Sequence, residues 1–227
     1  MKSLLTFVLG LLITSFSLAQ EVQTRNVGSF TGVKVAEGID VYLKKGDKES
    51  VRVEAYGTRL DNVITEVSGS YLKVHMRDEH RDHVNVKVYV TYVKIDKLSA
   101  SSAGSIMSEG TIDAGSMEIS SSSAANIEVA INVSGEVEIS SSSAGEVEVK
   151  GKAKSLLVEA SSAGEIDAYD LEAVKVDAQA SSAGSIKVNV TGELDAHASS
   201  GGGIRYRGNP DRSNTNSSSG GSVKKSN

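Results

Sequence analysis

The chain has 227 residues, a formal net charge of −5, 22 glycines, one proline, and neither cysteine nor tryptophan. This length suits one domain or two. The net charge is mildly negative and offers no excess of positive charge for nucleic acid, so we expect no nucleic-acid partner. The absence of cysteine excludes disulfide bonds, so the stability of the fold must come from backbone pairing and stacking.

The first 19 residues have the pattern of a secretory signal peptide. A positive start at Lys2 precedes an almost wholly apolar stretch over residues 3–16, and residues 17–19 (Ser-Leu-Ala) offer the small residues of a cleavage site. The apolar stretch is shorter than the roughly 20 residues of a membrane-spanning helix. We therefore predict an exported protein that begins at Gln20 and has no transmembrane segment in its mature chain. Its location would be the periplasm, the outer-membrane surface or the extracellular space.

Residues 27–98 are predicted to be rich in strands. Apolar and polar residues alternate in short runs, which are residues 33–43, 51–53, 72–76 and 84–90. Glycine, aspartate, asparagine and serine residues separate these runs. An alternation of period two with β-branched residues is typical of half-buried strands.

A six-residue phrase returns seven times in the rest of the chain. Its commonest form is Ser-Ser-Ala-Gly, then a variable residue, then isoleucine or valine. The copies start at Ser101, Ser122, Ser142, Ser161, Ser181, Ser199 and Ser218, so the period is 18 to 21 residues. A regular period of this length indicates a solenoid. Residues 99–227 are therefore predicted to be a repeat array that ends in a polar cap.

The alternation inside each repeat predicts one interior face and one solvated face. Residues of one parity run from apolar to small to apolar in each copy, as from Val137 and Ile139 through Gly145 to Val147. The other parity carries most of the glutamates and aspartates. Such a repeat suits one coil of a parallel β-helix, in which each coil pairs with the next. We therefore predict an all-β protein, a single-domain parallel β-helix over residues 20–227 with coils of about 20 residues.

The serines of the phrase are predicted to have a structural role. The second serine and the glycine or alanine two positions later share the inward parity, where a narrow coil turns its corner. Glycine would also permit a positive φ at this corner, and inward hydroxyls could bond one another or the corner carbonyls. A nucleophilic serine needs one activated copy beside a histidine base, and seven near-identical copies argue against that role.

Several segments resemble the head GIN-domain family of exported bacterial proteins, which carry the label of autotransporter adhesins. The segments are residues 30–35 (Phe-Thr-Gly-Val-Lys-Val), 38–43 (Gly-Ile-Asp-Val-Tyr-Leu), 51–55 (Val-Arg-Val-Glu-Ala) and 202–210 (Gly-Gly-Ile-Arg-Tyr-Arg-Gly-Asn-Pro), together with the repeat phrase. The resemblance covers essentially the whole mature chain. One departure is at residues 92–94 (Tyr-Val-Lys), where we would expect a proline. The resemblance implies a right-handed parallel β-helix, of a kind commonest in the Bacteroidetes, and an adhesin-like role.

An outward acidic cluster is the strongest candidate site. Glu146 and Glu148 lie in one predicted coil, and Glu165 and Asp167 occupy the same positions in the next. Stacked carboxylates about 4.8 Å apart repel unless a cation lies between them, and Ca²⁺ accepts several such oxygens. The alternative is a solvated acidic face, on which Lys187 could offset part of the repulsion. A second column leaves the same alternatives open; it consists of Glu118, Glu138, Asp177 and Asp195 and is broken by Leu157.

Two further groups of side chains are candidates for binding. His80 and His83 stand three apart in the charged segment 78–83 and could ligate Zn²⁺, although a charged turn explains the same residues. Tyrosines could stack on sugar rings if they form an exposed row, although tyrosine is also common in ordinary sheets; the candidates are Tyr42, Tyr56, Tyr71, Tyr89 and Tyr92. His75 and His197 have no obvious partner.

Three functions are compatible with the sequence. The first, which we favour, is a non-catalytic, adhesin-like protein of the cell envelope that binds a polysaccharide or a cell-surface protein. The second is a polysaccharide lyase or hydrolase of the pectin-lyase type. The acidic columns are repetitive, however, and no lysine or arginine stands among the four carboxylates of the acidic cluster. The third is a structural envelope protein that forms homo-oligomers through uncapped strand edges. We expect no enzyme activity and no cofactor other than Ca²⁺.

Overall fold

The computed structural model describes residues 21–77 and 84–226, which form β-strands and one short 3-10 turn at Leu60–Asn62. The strands are β1 (Glu21–Arg25), β2 (Gly32–Val35), β3 (Asp40–Lys45), β4 (Ser50–Tyr56), β5 (Val63–Ser68), β6 (Tyr71–Met76), β7 (Asn85–Tyr92), β8 (Lys97–Ala100), β9 (Ser105–Ala114), β10 (Met117–Ser122), β11 (Asn126–Ser142), β12 (Glu146–Ala160), β13 (Glu165–Ala180), β14 (Ser185–Ala198), β15 (Gly203–Arg207), β16 (Arg212–Ser217) and β17 (Ser222–Lys225). Among these residues there is no helix of the length and apolarity needed to cross a membrane. The predicted signal peptide and the predicted zinc segment lie outside the described residues.

Parallel pairing between successive coils builds the repeat region. β11 pairs with β12, β12 with β13, and β13 with β14, each time in parallel. Equivalent residues lie side by side, so a fully buried aliphatic ladder forms from Ile127, Val147, Ile166 and Ile186. This arrangement confirms the prediction of an all-β parallel β-helix with coils of about 20 residues.

Each long strand of the repeat region bends, so that one coil has two legs. In β11, residues 126–133 form the first leg and residues 136–142 form the second, and the register against β12 shifts between them. Apolar residues of both legs are buried; in this coil they are Ile127, Val129, Ile131, Val133, Val137 and Ile139. The predicted alternation therefore holds around the coil, and the interior is filled mainly by isoleucine, valine and alanine.

The serine-rich phrase forms the corner turn, in a conformation that the sequence reasoning did not predict. The second serine and the following alanine have positive φ; in one turn Ser162 is at 49° and Ala163 at 61°. Both residues are exposed, so the prediction that the second serine faces inward is wrong. Gly164 is buried, as predicted, but it is not the residue with positive φ. Its N–H donates to the Ser161 carbonyl at 2.8 Å, which closes a turn of type I′ geometry.

Hydrogen bonds also join the corner turns of neighbouring coils. The Ala144 N–H donates to the Ser162 carbonyl at 3.2 Å, and the Ala163 N–H donates to the Ser182 carbonyl at 3.1 Å. Backbone pairing therefore continues through the corner. This pairing offsets the cost of left-handed backbone at residues other than glycine, which is about 1–2 kcal/mol per residue.

The serines that do face inward stand just before the phrase. Ser121 and Ser141 are buried, and their hydroxyls donate to the carbonyl oxygens of Ala125 and Gly145 at 2.8 Å and 2.6 Å. The hydroxyls thus bond corner carbonyls, which is one of the two arrangements that the sequence suggested. Ala160 takes the same register in the next coil, so the buried serine is one of two small residues that fit this position.

The strand-rich N-terminal part is a mixed sheet and not a series of regular coils. β4 pairs antiparallel with β1 and with β7, and β5 pairs antiparallel with β6. β2 and β3 pair in parallel with β8 and β9, which joins this part to the first repeat. The buried residues of both parts form one continuous core from Phe30 to Ile204.

The polar tail forms the last coil. β16 pairs in parallel with β14, and β17 pairs in parallel with β15. Val223 lies beside Ile204 and closes the last aliphatic ladder. The tail therefore covers the strand edge at the C-terminal end of the repeat region.

Candidate functional site

Outward side chains at the same register stack into columns along the solenoid. One of them, which we name the charged column, consists of Glu128, Glu148, Asp167, Lys187, Arg205 and Lys224. Its members change from acidic to basic between Asp167 and Lys187. Neighbouring strands lie about 4.8 Å apart, so like charges repel within each half and opposite charges attract where the halves meet.

The four carboxylates of the predicted calcium site lie in adjacent coils, in the register that the sequence predicts. Glu146 pairs with Glu165, and Glu148 pairs with Asp167. The Lys187 ammonium lies 3.2 Å from Glu165 Oε1 and 2.9 Å from Asp167 Oδ2. A basic residue therefore stands directly beside this cluster and offsets part of its repulsion.

Lys187 supplies a positive charge at the place where a cation was predicted. Its hydrogen bond to Asp167 raises the pKa of Lys187; desolvation opposes this shift, and the bond to Glu165 adds to it. The side chain is therefore charged at neutral pH. Across residues 21–77 and 84–226, no three His, Cys, Asp or Glu side chains are grouped so that they could hold a metal ion. Calcium binding at Glu146 and Glu148 stays a prediction.

A pocket beside the charged column was not predicted from the sequence. It has a volume of about 280 Å³, and its lining includes Tyr169, Asp170 and Arg207. The Arg207 guanidinium lies 5.1 Å from the centre of the Tyr169 ring and donates to Asp170 Oδ1 at 2.8 Å. Residues 169–171 have no partner in β14, and an irregularity of this kind re-aims side chains. A matching sequence signal is the length of the coil, because the copies of the phrase that start at Ser161, Ser181 and Ser199 are 20 and then 18 residues apart.

The second acidic column also has the predicted register. It runs through Glu118, Glu138, Leu157, Asp177, Asp195 and Asn214. Lys97 Nζ lies 2.9 Å from Glu118 Oε2, and the hydrogen bond with Glu118 raises the pKa of Lys97. Asn214 donates to Asp195 Oδ1 at 3.2 Å. Polar partners from the chain itself thus stand at both ends of this column.

A polar groove of about 370 Å³ runs along the solenoid beside the serine-rich turns. One wall is a column of long polar side chains, which are Glu159, Gln179, His197 and Asn216. The other wall consists of the first serines of four successive phrases, which are Ser161, Ser181, Ser199 and Ser218. Earlier coils carry Ser120 and Ser140 at the register of the first wall. The groove therefore exists where long polar side chains replace serine.

His197 in the groove wall has a partner, contrary to the expectation from the sequence. Its Nε2 lies 2.7 Å from Asp195 Oδ1. The two residues stand two apart on β14, and alternate residues of a strand point to the same face. The contact between them favours one orientation of the imidazole ring at the edge of the groove.

The N-terminal tyrosines do not form one exposed row. Tyr92 lies in the core with 3% of its surface exposed, and Tyr71 stands on a different strand, beside Gly32. Tyr42 and Tyr89 stack on each other with ring centres 5.1 Å apart. Tyr56 is exposed on β4, so the five candidates lie in different surroundings and do not offer one continuous stacking surface.

The fold and these surfaces define the class of the protein, a parallel β-solenoid with stacked polar columns on its outward faces. The chain belongs to the family described as "Putative auto-transporter adhesin, head GIN domain", whose model matches residues 29–210. The family that the N-terminal segments and the repeat phrase indicated is thus confirmed. No curated protein matches the sequence.

Three solved structures show the same fold. A "putative adhesin" from Bacteroides fragilis has a TM-score of 0.83 at 18% identity, over 92% of this chain and 98% of the other. A "putative adhesin" from Parabacteroides merdae has a TM-score of 0.68 at 17% identity, over 92% and 96% of the two chains. A "putative lipid binding protein" from Parabacteroides distasonis has a TM-score of 0.65 at 20% identity, over 92% and 97%.

Proposed function

We propose that this protein is an exported, non-catalytic binding protein of the adhesin type, and that it holds its partner on the outward columns of the solenoid. The observation that carries this proposal is the regular stacking of exposed polar side chains on strands that pair in parallel from coil to coil. Such columns place equally spaced hydrogen-bonding groups along one line. Membership of an adhesin family supports the same role.

The backbone under the columns is suited to binding because it is rigid. Hydrogen bonds join successive coils along the legs and through the corner turns, as between Ala163 and Ser182. A surface that is already ordered loses little conformational freedom when it binds. A rigid scaffold also holds side chains in a fixed geometry toward a partner.

The arrangement of the ionisable side chains supports a role without catalysis. The carboxylates stand in repeated columns, whereas a glycosidase needs one matched acid and base. A nucleophilic serine needs a base within hydrogen-bond reach. In the part of the chain that the structure describes, the polar partner of the His197 ring is Asp195, and no serine hydroxyl hydrogen-bonds to that ring.

Export and domain organisation are part of the same proposal. Residues 1–19 have the pattern of a signal peptide, which would place the mature chain in the periplasm, at the outer-membrane surface or outside the cell. Residues 20–227 would act as one domain, since one continuous core extends from Phe30 to Ile204. The fold relatives come from Bacteroides and Parabacteroides, which supports an origin in the Bacteroidetes.

Export is tested by expression of the full chain in a Gram-negative host, followed by fractionation and mass spectrometry of the mature N-terminus. We expect a chain that begins at Gln20 in the periplasm, on the cell surface or in the medium. A full-length protein that stays in the cytoplasm would overturn this part of the proposal.

Binding is tested with the purified mature chain, residues 20–227, on polysaccharide arrays and on intact bacterial and host cells. Each measurement is made with Ca²⁺ and with a chelator, and the supernatant is analysed for shortened or unsaturated sugars. We expect saturable binding without product. Released sugars would show an enzyme instead, and a chain that binds no surface at all would leave the structural, self-associating role.

A further inference from the structure

We infer that the polar groove binds a linear, neutral polysaccharide that lies along the axis of the solenoid. This inference rests on the proposed binding function and assigns to it a site and a class of ligand. The groove combines a volume of about 370 Å³ with two facing walls of polar side chains. One wall belongs to β12, β13, β14 and β16, so four successive coils contribute to a single site.

The wall of long side chains offers both donors and acceptors to a ligand. The Glu159 carboxylate accepts hydrogen bonds, and the amides of Gln179 and Asn216 both donate and accept. All three side chains are exposed along the groove. Sugar hydroxyls also donate and accept, so they can satisfy each of these groups in turn, whereas a ligand with only donors or only acceptors cannot.

The opposite wall and the floor of the groove are also suited to a sugar chain. The turn serines of that wall, such as Ser181 and Ser199, add hydroxyl groups that rotate to suit a partner. Ala160 and Ala180 lie between the two walls along the chain, and their methyl groups point into the core, so backbone forms the floor of the groove. His197 Nε2 lies 2.7 Å from Asp195 Oδ1, and this contact favours one orientation of the ring.

The spacing of the wall favours a polymer over a single sugar. The wall side chains come from successive coils, so they repeat about every 4.8 Å, and four coils span roughly 14 Å. A linear polysaccharide presents hydroxyl groups at regular intervals along an extended chain. One polysaccharide chain can make several such contacts at once, and together they give a higher affinity than any single contact.

The same observations argue against other polymers. A peptide that binds as an added strand needs an unpaired strand edge, and β12, β13 and β14 are each paired on both sides along the groove. Among the described strands β16 pairs with β14 alone, so an added strand could join only at that end and would not lie along the groove. A nucleic acid needs cationic side chains against its phosphates, and the lining of the groove includes neither lysine nor arginine. A polymer of acidic sugars would meet the Glu159 carboxylate at one end.

The test uses a groove variant that the fold itself suggests. Glu159→Ser, Gln179→Ser and His197→Ser together restore the residue that Ser120 and Ser140 provide at this register in earlier coils. The control variant, Lys152→Ser with Glu172→Ser, changes two exposed residues at another register of the coils without altering the net charge. Circular dichroism and thermal unfolding of both variants check that the fold is retained.

The probes are arrays of neutral linear polysaccharides (glucans, mannans and xylans) with acidic polysaccharides alongside, and the protein is clustered on streptavidin to raise its avidity. We expect the wild type and the control variant to bind a neutral polysaccharide. The groove variant should lose roughly 10- to 100-fold in apparent affinity, because several hydrogen bonds are removed together.

The possible outcomes separate this inference from the proposed function. If the wild type binds a polysaccharide or a cell surface and the groove variant binds equally well, the groove is not the site, and the binding function stands. If only acidic polysaccharides bind, the ligand class is wrong. If the wild type binds neither arrays nor cells, the proposed function fails, and this inference fails with it.

Discussion

A Cβ atom on Gly164 would lie 2.4 Å from the carbonyl oxygen of Ser141 in the neighbouring coil, closer than real Cβ atoms approach. That oxygen also accepts the Ser161 N–H at 3.0 Å, so it cannot move away without loss of the pairing between coils. Gly145 has the same relationship to the carbonyl of Ser121, at 2.7 Å. Glycine at these two positions therefore permits the close approach between coils, whereas the second copy of the phrase accommodates Ala125 at the equivalent position.

Gly164→Ala should reduce the free energy of unfolding by about 1–3 kcal/mol, as overpacking against a fixed neighbour does. The added methyl group would meet the backbone, which cannot rotate away as a side chain can. Urea unfolding followed by circular dichroism measures the change. A variant as stable as the wild type would show that the coils can separate at little cost.

Ala163, the residue before Gly164, supplies the matched control, because its substitution should change the free energy of unfolding in the opposite direction. Ala163 has a φ of 61° and is exposed, so Ala163→Gly relieves backbone strain and removes no buried contact. We expect the free energy of unfolding to rise by up to about 1 kcal/mol. A loss of stability at this position would contradict the assignment of left-handed backbone to the turn.

Ser141→Ala should leave stability within about 1 kcal/mol of the wild type. The Gly145 carbonyl, which accepts the Ser141 hydroxyl, also accepts the Glu165 N–H at 2.9 Å, so it stays satisfied. Ala160 already occupies this register in the next coil. Binding to cells or arrays should be unchanged, and a variant that folds normally but no longer binds would give the buried serines a functional role.

The coil architecture was predictable because its causes can be read from the sequence. The period of the phrase gives the length of a coil, and the parity of residues such as Ile127 and Val147 gives the interior face. The register of the charged column follows from the same period, which is why Glu148 was correctly placed beside Asp167. In a parallel solenoid, residues that are one period apart in the sequence lie side by side in adjacent coils.

Other features depend on contacts that the period does not encode. The left-handed conformation of Ser162 and Ala163 is stabilised by pairing between turns and runs against local propensity. The contact between Arg207 and Tyr169 joins residues in different coils where the register is irregular. The polar groove depends on side-chain length along a column whose members differ chemically, so no repeated motif marked it.

Lys187→Met should reduce the free energy of unfolding by up to about 1 kcal/mol, a limit set by the solvent exposure of the ion pairs. The substitution leaves Glu165 and Asp167 without the ammonium that lies within 3.2 Å of both. Added salt should shrink the effect, because it screens the remaining repulsion. Lys150→Met, at an exposed lysine of the same region, is the control and should change little.

The contribution of Lys187 to stability should also decrease at alkaline pH. Its pKa in the folded protein is raised above the ordinary value of 10.5, so the folded state holds this proton more tightly than the unfolded state does. The contribution is fully present below pH 10.5 and is lost as the pH rises through the folded pKa. The difference between the wild type and Lys187→Met should therefore be constant from neutral pH to about pH 10 and then decrease. A difference that vanished near neutral pH would exclude the ammonium as its source.

Calcium should raise the melting temperature of Lys187→Met more than that of the wild type. Without the ammonium, the stacked carboxylates keep their repulsion, and a divalent cation relieves it by binding their oxygens. Glu148→Gln in the Lys187→Met background should reduce the effect, because one of the predicted ligands loses its charge. If calcium shifts neither protein, the acidic cluster of Glu146, Glu148, Glu165 and Asp167 is a solvated acidic face.

Removal of residues 209–227 should cause the protein to oligomerise or aggregate. The truncation deletes β16 and β17, which cover the edges of β14 and β15, and an uncovered strand edge pairs readily with another chain. Sedimentation velocity should show larger species that grow with concentration, while a chain truncated after Lys225, which keeps β17, should sediment as the wild type does. If the chain without residues 209–227 sediments as the wild type does, the polar tail is not needed as a cap, because the uncovered edges of β14 and β15 are then tolerated in solution.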